Sequence, residues 1–169
     1  MKLRNAYCIG LASLTFLISG VCYAGITIPM YMTQANGQGK KIGTVTADDT
    51  IYGLLLTPHL KDLPAGLHGF HIHDLPFCNN HGNAAGGHLD PTRTNKHAGP
   101  YNGSGHLGDL PVLIVNANGD ATLPVLAPRL KLEQIKGHTL MIHAKGDDYT
   151  NKSVLGNPRI ACGTIPYHN

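Results

Sequence analysis

Eleven histidines in 169 residues are a surplus that asks for a reason. Six of them fall between Gly69 and Asp109, and five of these, His81 apart, stand at ligand-like spacings. Gly69-Phe70-His71-Ile72-His73 opens this stretch, His106-Leu107-Gly108-Asp109 closes it, and His88 and His97 lie between. Imidazole is the commonest protein ligand for metals. His71 and His73 stand two apart in a strand-like segment, so period-two geometry puts both on one face and turns Phe70 and Ile72 to the other. His143 has the same setting between Ile142 and Ala144. Three imidazoles on rigid strands with an open position suit copper, which can change oxidation state. His88, His97 and His106 follow at intervals of nine in a glycine-rich loop, with Asp109 close behind. A loop can wrap an ion from all sides, and three nitrogens with one carboxylate oxygen suit zinc. Any one of these loop histidines alone would read as a solvated side chain, and a lone strand histidine as structural. Together they read as metal ligands, and by spacing alone as two separate sites.

These ligands need strands to hold them. Short β-branched or alternating runs at residues 26–33, 41–46, 51–56, 66–73, 112–115, 121–126, 138–144 and 159–165 predict eight strands. Pro29 suits an edge strand, and Pro58 falls with Pro64 in the loop after the third run. Asn118-Gly119 or Gly119-Asp120 reads as a hairpin turn joining the fifth and sixth runs. Residues 131–136 allow one helical turn. Residues 74–110 and 145–158 lack sustained periodicity. Loops of such length inside one domain are usually functional or disordered, and metal ligands would order them without a core. The expected fold is all-β, an eight-stranded Greek-key sandwich or barrel with two long functional loops.

Composition agrees with a single globular domain: 42% hydrophobic, 14% charged, with Gly 21 and Pro 11 favouring many turns. The formal charge is +3, but Lys2 and Arg4 supply part of it at the N-terminus. With no basic run among aromatic residues, no nucleic-acid partner is expected. Residues 1–24 have the zones of an export signal. Lys2 and Arg4 come first, an apolar run from Ile9 to Ile18 follows, and Cys22 and Ala24 fit a cleavage site before Gly25. The alternative is a short membrane anchor, but the run falls short of the roughly 20 residues that span a bilayer. Lipidation of Cys22 is a further possibility, weakened by the bulk of Val21. The mature domain is thus 25–169, exported to the periplasm and without a membrane partner once the signal is cleaved. Cys78 and Cys162 are then the cysteines left, an even pair in an oxidising compartment, and one disulfide is expected.

Several blocks together go further: Gly69-Phe70-His71-Ile72-His73, Ala85-Gly86-Gly87-His88-Leu89-Asp90-Pro91, Lys96-His97-Ala98-Gly99-Pro100, Gly105-His106-Leu107-Gly108-Asp109-Leu110-Pro111, Met141-Ile142-His143-Ala144 and Arg159-Ile160-Ala161-Cys162-Gly163. In this order they resemble the bacterial periplasmic copper,zinc superoxide dismutases, over nearly the whole mature domain. The resemblance implies copper on His71, His73, His88 and His143, and zinc on His88, His97, His106 and Asp109, one of each per chain. His88 would bridge the two metals, which spacing does not show. It implies that Asp147 accepts hydrogen bonds from one histidine of each set, His71 and His97, and that the Cys78–Cys162 disulfide ties the metal loop to the last strand. It places Arg159 beside the copper to orient superoxide, the substrate, which is dismuted to oxygen and hydrogen peroxide. Relatives of this kind are monomers or homodimers. Lys145 and Lys152 are candidates for steering the anion, with solvated surface lysines as the plainer reading. His81 reads as a loop histidine rather than a ligand, and His68 and His138 as structural. The competing function is a copper/zinc storage or delivery domain without dismutase activity, for which Arg159 would have no use. A zinc hydrolase fits less well, since the site offers no general base.

Overall fold

Alternation of apolar and polar residues builds the frame, and the places where it breaks position the site. The structure, a computed structural model, describes residues 25–150 and 156–167. The strands among them are β1 (Ile26–Gln34), β2 (Gly37–Thr50), β3 (Gly53–Leu60), β4 (Gly66–His68), β5 (Phe70–His73), β6 (Leu113–Val115), β7 (Val125–Ala127), β8 (Thr139–His143) and β9 (Arg159–Thr164). A single helical turn, α1 (Leu132–Ile135), and a 3-10 turn at Asn83–Ala85 complete the elements. None of the described helices is long and apolar enough to cross a membrane.

The strands pair antiparallel in the order β5-β8-β9-β1-β2-β3-β7, and β4 pairs with β6. The run predicted at 66–73 is one strand bent at Gly69: β4 turns to β6, while β5 turns to β8. Counted so, the described residues form eight strands in the order β6, β4/β5, β8, β9, β1, β2, β3, β7. The crossings from β3 to β4 and from β6 to β7 make it a Greek-key barrel. Ile28, Met30, Val45, Leu54, Leu56, Phe70, Ile72, Leu140 and Ile142 fill its inside. Each such side chain is worth about 1.5–3 kcal/mol when fully buried.

Three local readings change. Pro58 is not in a loop; it lies within β3 opposite Val45, beyond the stretch of β3 that β7 covers, so its missing N–H leaves no ladder bond unmade on that side. β1 is an inner strand, between β9 and β2. β9 pairs with it only at Tyr31 and Met32, which leaves Pro29 with a partner on β2 alone. β6 and β7 do not form a hairpin. The chain does turn at Asn116–Asp120, where Asn116 Oδ1 accepts from the amides of Asn118 and Asp120. It then crosses to the opposite edge, where Ala121 meets Leu60 and β7 pairs with β3.

β8 is buried at every residue. Leu140 and Ile142 face the barrel core, whereas Met141 packs with Cys78, Ala85 and Cys162 in a second cluster outside it. The outer face of β5, β8 and β9 is therefore covered, and what covers it is the loop that follows β5.

Candidate metal centre

His71 and His73 project from the outer face of β5 while Phe70 and Ile72 enter the core, as period two requires. β8 lies alongside, with Phe70 opposite Ile142. His143, at the end of β8, brings its Nε2 to 3.4 Å from His73 Nε2.

The loop is drawn onto β5 by its own backbone. Ile72 N donates to Gly108 O at 2.9 Å, Gly108 N to Leu89 O at 2.9 Å, and Leu89 N to Ile72 O at 2.8 Å. This closed ring of three bonds sets His88 opposite His73 and Asp109 opposite His71. Gly108 is required there, because a Cβ would come within 2.2 Å of Ile72 O. Leu89 and Leu110 are buried in the main core. Arg129 holds the loop from outside, donating to Gly105 O at 2.9 Å and His106 O at 3.1 Å. The loop is thus ordered by protein contacts as well as by any metal, contrary to the expectation from its irregular sequence.

His71, His73, His88, His97 and His143 converge with Asp109, and His106 adjoins them through Asp109. His71, His73, His88 and His143 each offer a nitrogen within 4.8 Å of the others. On the other side, Asp109 Oδ1 lies 2.9 Å from His88 Nδ1, 2.9 Å from His97 Nδ1 and 3.4 Å from His106 Nδ1. Ligands at zinc bond lengths of 2.0–2.1 Å stand about 3.3 Å apart in a tetrahedron, so these spacings suit a shared ion. His71 also approaches His88, His97 and Asp109 within 4.8 Å, its ring stacked on His88 at 4.0 Å between centroids. Its Nε2 is engaged, however, donating to Asp147 Oδ2 at 2.7 Å. Asp147 also accepts from His97 Nε2, at 2.8 and 2.9 Å to its two oxygens. Because His88 turns Nδ1 to Asp109, its Nε2 is the atom left for the first group.

Two buried nitrogens test whether metals fit. His71 Nδ1 and His106 Nδ1 have no hydrogen-bond partner, and a buried lone pair without a donor is costly. One sits in each ligand set. The other outer nitrogens are oriented by carbonyls, His73 Nδ1 donating to Gly86 O at 3.0 Å and His143 Nδ1 to Asn157 O at 3.1 Å. These bonds fix the tautomers that leave both Nε2 atoms bare. The donor sets suit a nitrogen-bound copper and a zinc with one carboxylate.

The electrostatics agree. Burial, reinforced by neighbouring His88, pushes His71 down to about 3, and burial takes His143 down to about 4. Burial likewise lowers His73 and His88. Neutral imidazoles result, the form that binds metal. His97 is the opposite. Burial opposes its charge, but Asp109 and Asp147 on either side hold it up at about 9. Asp109 stays far below the usual carboxylate range despite burial, since the imidazoles of His106, 3.4 Å away, His88 and His97 surround its carboxylate.

Arg159 reaches the site through a bulge. Cys162 faces outward into the second cluster, so strict alternation would turn Arg159 inward. The register between β8 and β9 shifts at Ile142/His143. Ile160 and Ala161 both pack on the main core, and Arg159 emerges opposite His143. Its guanidinium then donates to Gly82 O and Gly86 O, each at 2.7 Å. Cys78 and Cys162 are disulfide-bonded with Cα atoms 6.1 Å apart, which keeps those carbonyls beside β9. A cleft of about 790 Å³ opens here, lined by His88, His106, His143, Arg159 and also His81. His81 is exposed and belongs to neither ligand group. Lys145 is exposed and does not line the cleft; Lys152 lies outside the described residues. His68 is buried between carbonyls, Nδ1 at 2.7 Å from His143 O and Nε2 at 2.8 Å from Pro64 O.

A Greek-key barrel carrying a paired histidine cluster under its loops defines a metalloprotein built for two adjacent ions. The sequence profile of the copper/zinc superoxide dismutase family matches residues 41–165. The chain is 51% identical over 154 residues to the copper–zinc superoxide dismutase of Legionella pneumophila, covering 89% of this chain and 93% of that protein. The copper/zinc superoxide dismutase of Brucella abortus superposes with a TM-score of 0.78 at 42% identity, over 84% of this chain and 99% of the other. The monomeric enzyme of Salmonella enterica gives 0.74 at 50% identity, over the same shares of 84% and 99%. The chain belongs to the copper/zinc superoxide dismutase family, in its bacterial branch. It is an enzyme that dismutes superoxide to oxygen and hydrogen peroxide, with copper and zinc as cofactors.

Proposed function

We propose that His71, His73, His88 and His143 hold the copper and that His88, His97, His106 and Asp109 hold the zinc, His88 serving both. The observation that carries this assignment is the pair of bare buried nitrogens, His71 Nδ1 and His106 Nδ1, one in each set. When bound, copper supplies a one-electron couple that accepts an electron from one superoxide and returns it to a second. Two superoxide ions and two protons give one oxygen and one hydrogen peroxide. Arg159 draws the anion into the cleft and orients it with a charge and N–H donors fixed by Gly82 O and Gly86 O. His88 would hold and return a proton at Nε2, with Nδ1 turned to Asp109. Asp147 holds His71 and His97 by their outer nitrogens and so couples the two sets. A storage or delivery domain would leave Arg159 without a role.

Residues 1–24 act as a cleaved export signal, the mature domain is 25–169, and the enzyme works in the periplasm. That segment lies outside the described residues; its basic start and apolar run support the reading, as does the Cys78–Cys162 disulfide, which needs an oxidising compartment. The monomeric Salmonella enterica relative supports a monomer rather than a homodimer. Metal content of variants tests the assignment. His71→Ala should lose copper and keep zinc, His106→Ala the reverse, and His88→Ala should weaken both. Wild-type binding of both metals by His88→Ala refutes the shared ligand.

A further inference from the structure

Tyr149 is a bulky residue in the left-handed region, with φ at 59°. Non-glycine residues seldom sit there, and bulky ones least of all. Its amide, ring and hydroxyl are all engaged on the zinc side of the site. Its amide donates to Asp147 Oδ1 at 2.8 Å, the carboxylate that also takes the N–H groups of His71 and His97. Its hydroxyl accepts from Val112 N at 3.0 Å, three residues beyond Asp109. Its ring lies on Gly99, where a Cβ would come 2.9 Å from Tyr149 Cγ. The amides of Gly99 and Ala98 in turn hold Asp109 Oδ2 at 3.1 Å. The ring centroid is 6.4 Å from that of His97.

We propose that Tyr149 is a positioning residue for zinc: it fastens the Asp147 turn to both ends of the 99–112 segment and so sets the distance between the two carboxylates that flank His97. The contacts explain why Gly99 has no side chain, why Tyr149 keeps a disfavoured backbone, and why its hydroxyl is spent on a main-chain amide. None of this is needed by the barrel, since Tyr149 lies outside both hydrophobic clusters. The inference rests on the assignment of His88, His97, His106 and Asp109 to zinc.

Cobalt(II), which reports its geometry in its visible absorption, is the probe. The metal-free full-length mature protein is titrated with cobalt against a chelator of known affinity, for wild type, Tyr149→Phe, Tyr149→Asn and His97→Ala. Asparagine tolerates the left-handed region and keeps the amide, so Tyr149→Asn removes ring and hydroxyl without adding strain. Loss of a supporting partner typically weakens metal binding 10- to 100-fold. Tyr149→Asn should show a loss in that range, about 10- to 100-fold, with altered cobalt bands. Tyr149→Phe keeps the ring and should lose roughly three- to tenfold. Melting of the metal-free variants is the control. A lowered melting temperature with wild-type cobalt affinity and spectrum would make Tyr149 merely structural and overturn the proposal, as would unchanged values throughout. If wild type binds no cobalt, or His97→Ala binds it equally well, the zinc assignment fails instead.

Discussion

Replacing Asp147 by alanine tests the coupling between the two ligand sets. The side chain of Asp147 is buried, 3% exposed, and it accepts from His71 Nε2 at 2.7 Å and His97 Nε2 at 2.8 Å. A hydrogen bond to a charged group is worth about 1.5–3 kcal/mol. In Asp147→Ala each ring loses that bond, keeps a buried N–H without its acceptor, and is free to rotate its metal-facing nitrogen away. If about 1.4 kcal/mol or more of each bond passes into metal binding, each affinity falls at least about tenfold, within the 10- to 100-fold range found for such supporting residues. Both metals should be lost to similar extents, because one carboxylate serves both. Asp147→Asn should be unequal: with its oxygen at the Oδ1 position it keeps the bonds from His97 and the Tyr149 amide, and its NH2 then meets the N–H of His71. Chelator competition for copper and for zinc on each variant gives the numbers. Affinities within about twofold of wild type in Asp147→Ala would refute the reasoning, and loss of one metal alone would refute the coupling.

Proton release follows from the charge of His97. Raised to about 9 by Asp109 and Asp147 against the effect of burial, it carries a proton at pH 7 in the metal-free protein, and zinc must displace it from Nδ1. Calorimetry in buffers of different ionisation enthalpy should therefore show about one proton released by His97 per zinc at pH 7, fading above pH 9. Copper should release none from His71 or His143, already neutral with values of about 3 and about 4; zinc binding at pH 7 without proton release would contradict the arrangement. Arg159→Ile should keep both metals but lower kcat/KM roughly tenfold and flatten its dependence on ionic strength, since steering by charge raises encounter rates about 10- to 1,000-fold.

The candidate ligands are legible because their spacing is local. Period two alone puts His71 and His73 on one face, and the nine-residue intervals of His88, His97 and His106 single out the loop as a candidate metal binder. Their union was not legible from spacing, which suggested two sites. It depends on the backbone ring of Ile72, Leu89 and Gly108, which lays the loop across β5. Arg159 was named by resemblance, but its direction follows from a bulge that no alternation rule reveals, since Cys162 outward would imply Arg159 inward. Arg129 and Tyr149 carry no motif; their contacts are with carbonyls and amides far along the chain. The Asn116–Asp120 turn was visible in sequence, yet pairing across it was not, because β7 finds its partner on β3. Pro58 marked a loop by composition, while the register of β3 accommodates it within a strand.

The most direct measurement is superoxide removal by the purified protein, made with its copper and zinc content determined on the same sample. The account predicts about one copper and one zinc per chain, rapid dismutation, loss of activity when copper is withdrawn and its return when copper is restored. His71→Ala should abolish it and His81→Ala leave it largely intact. Full occupancy by both metals without dismutation would contradict the account.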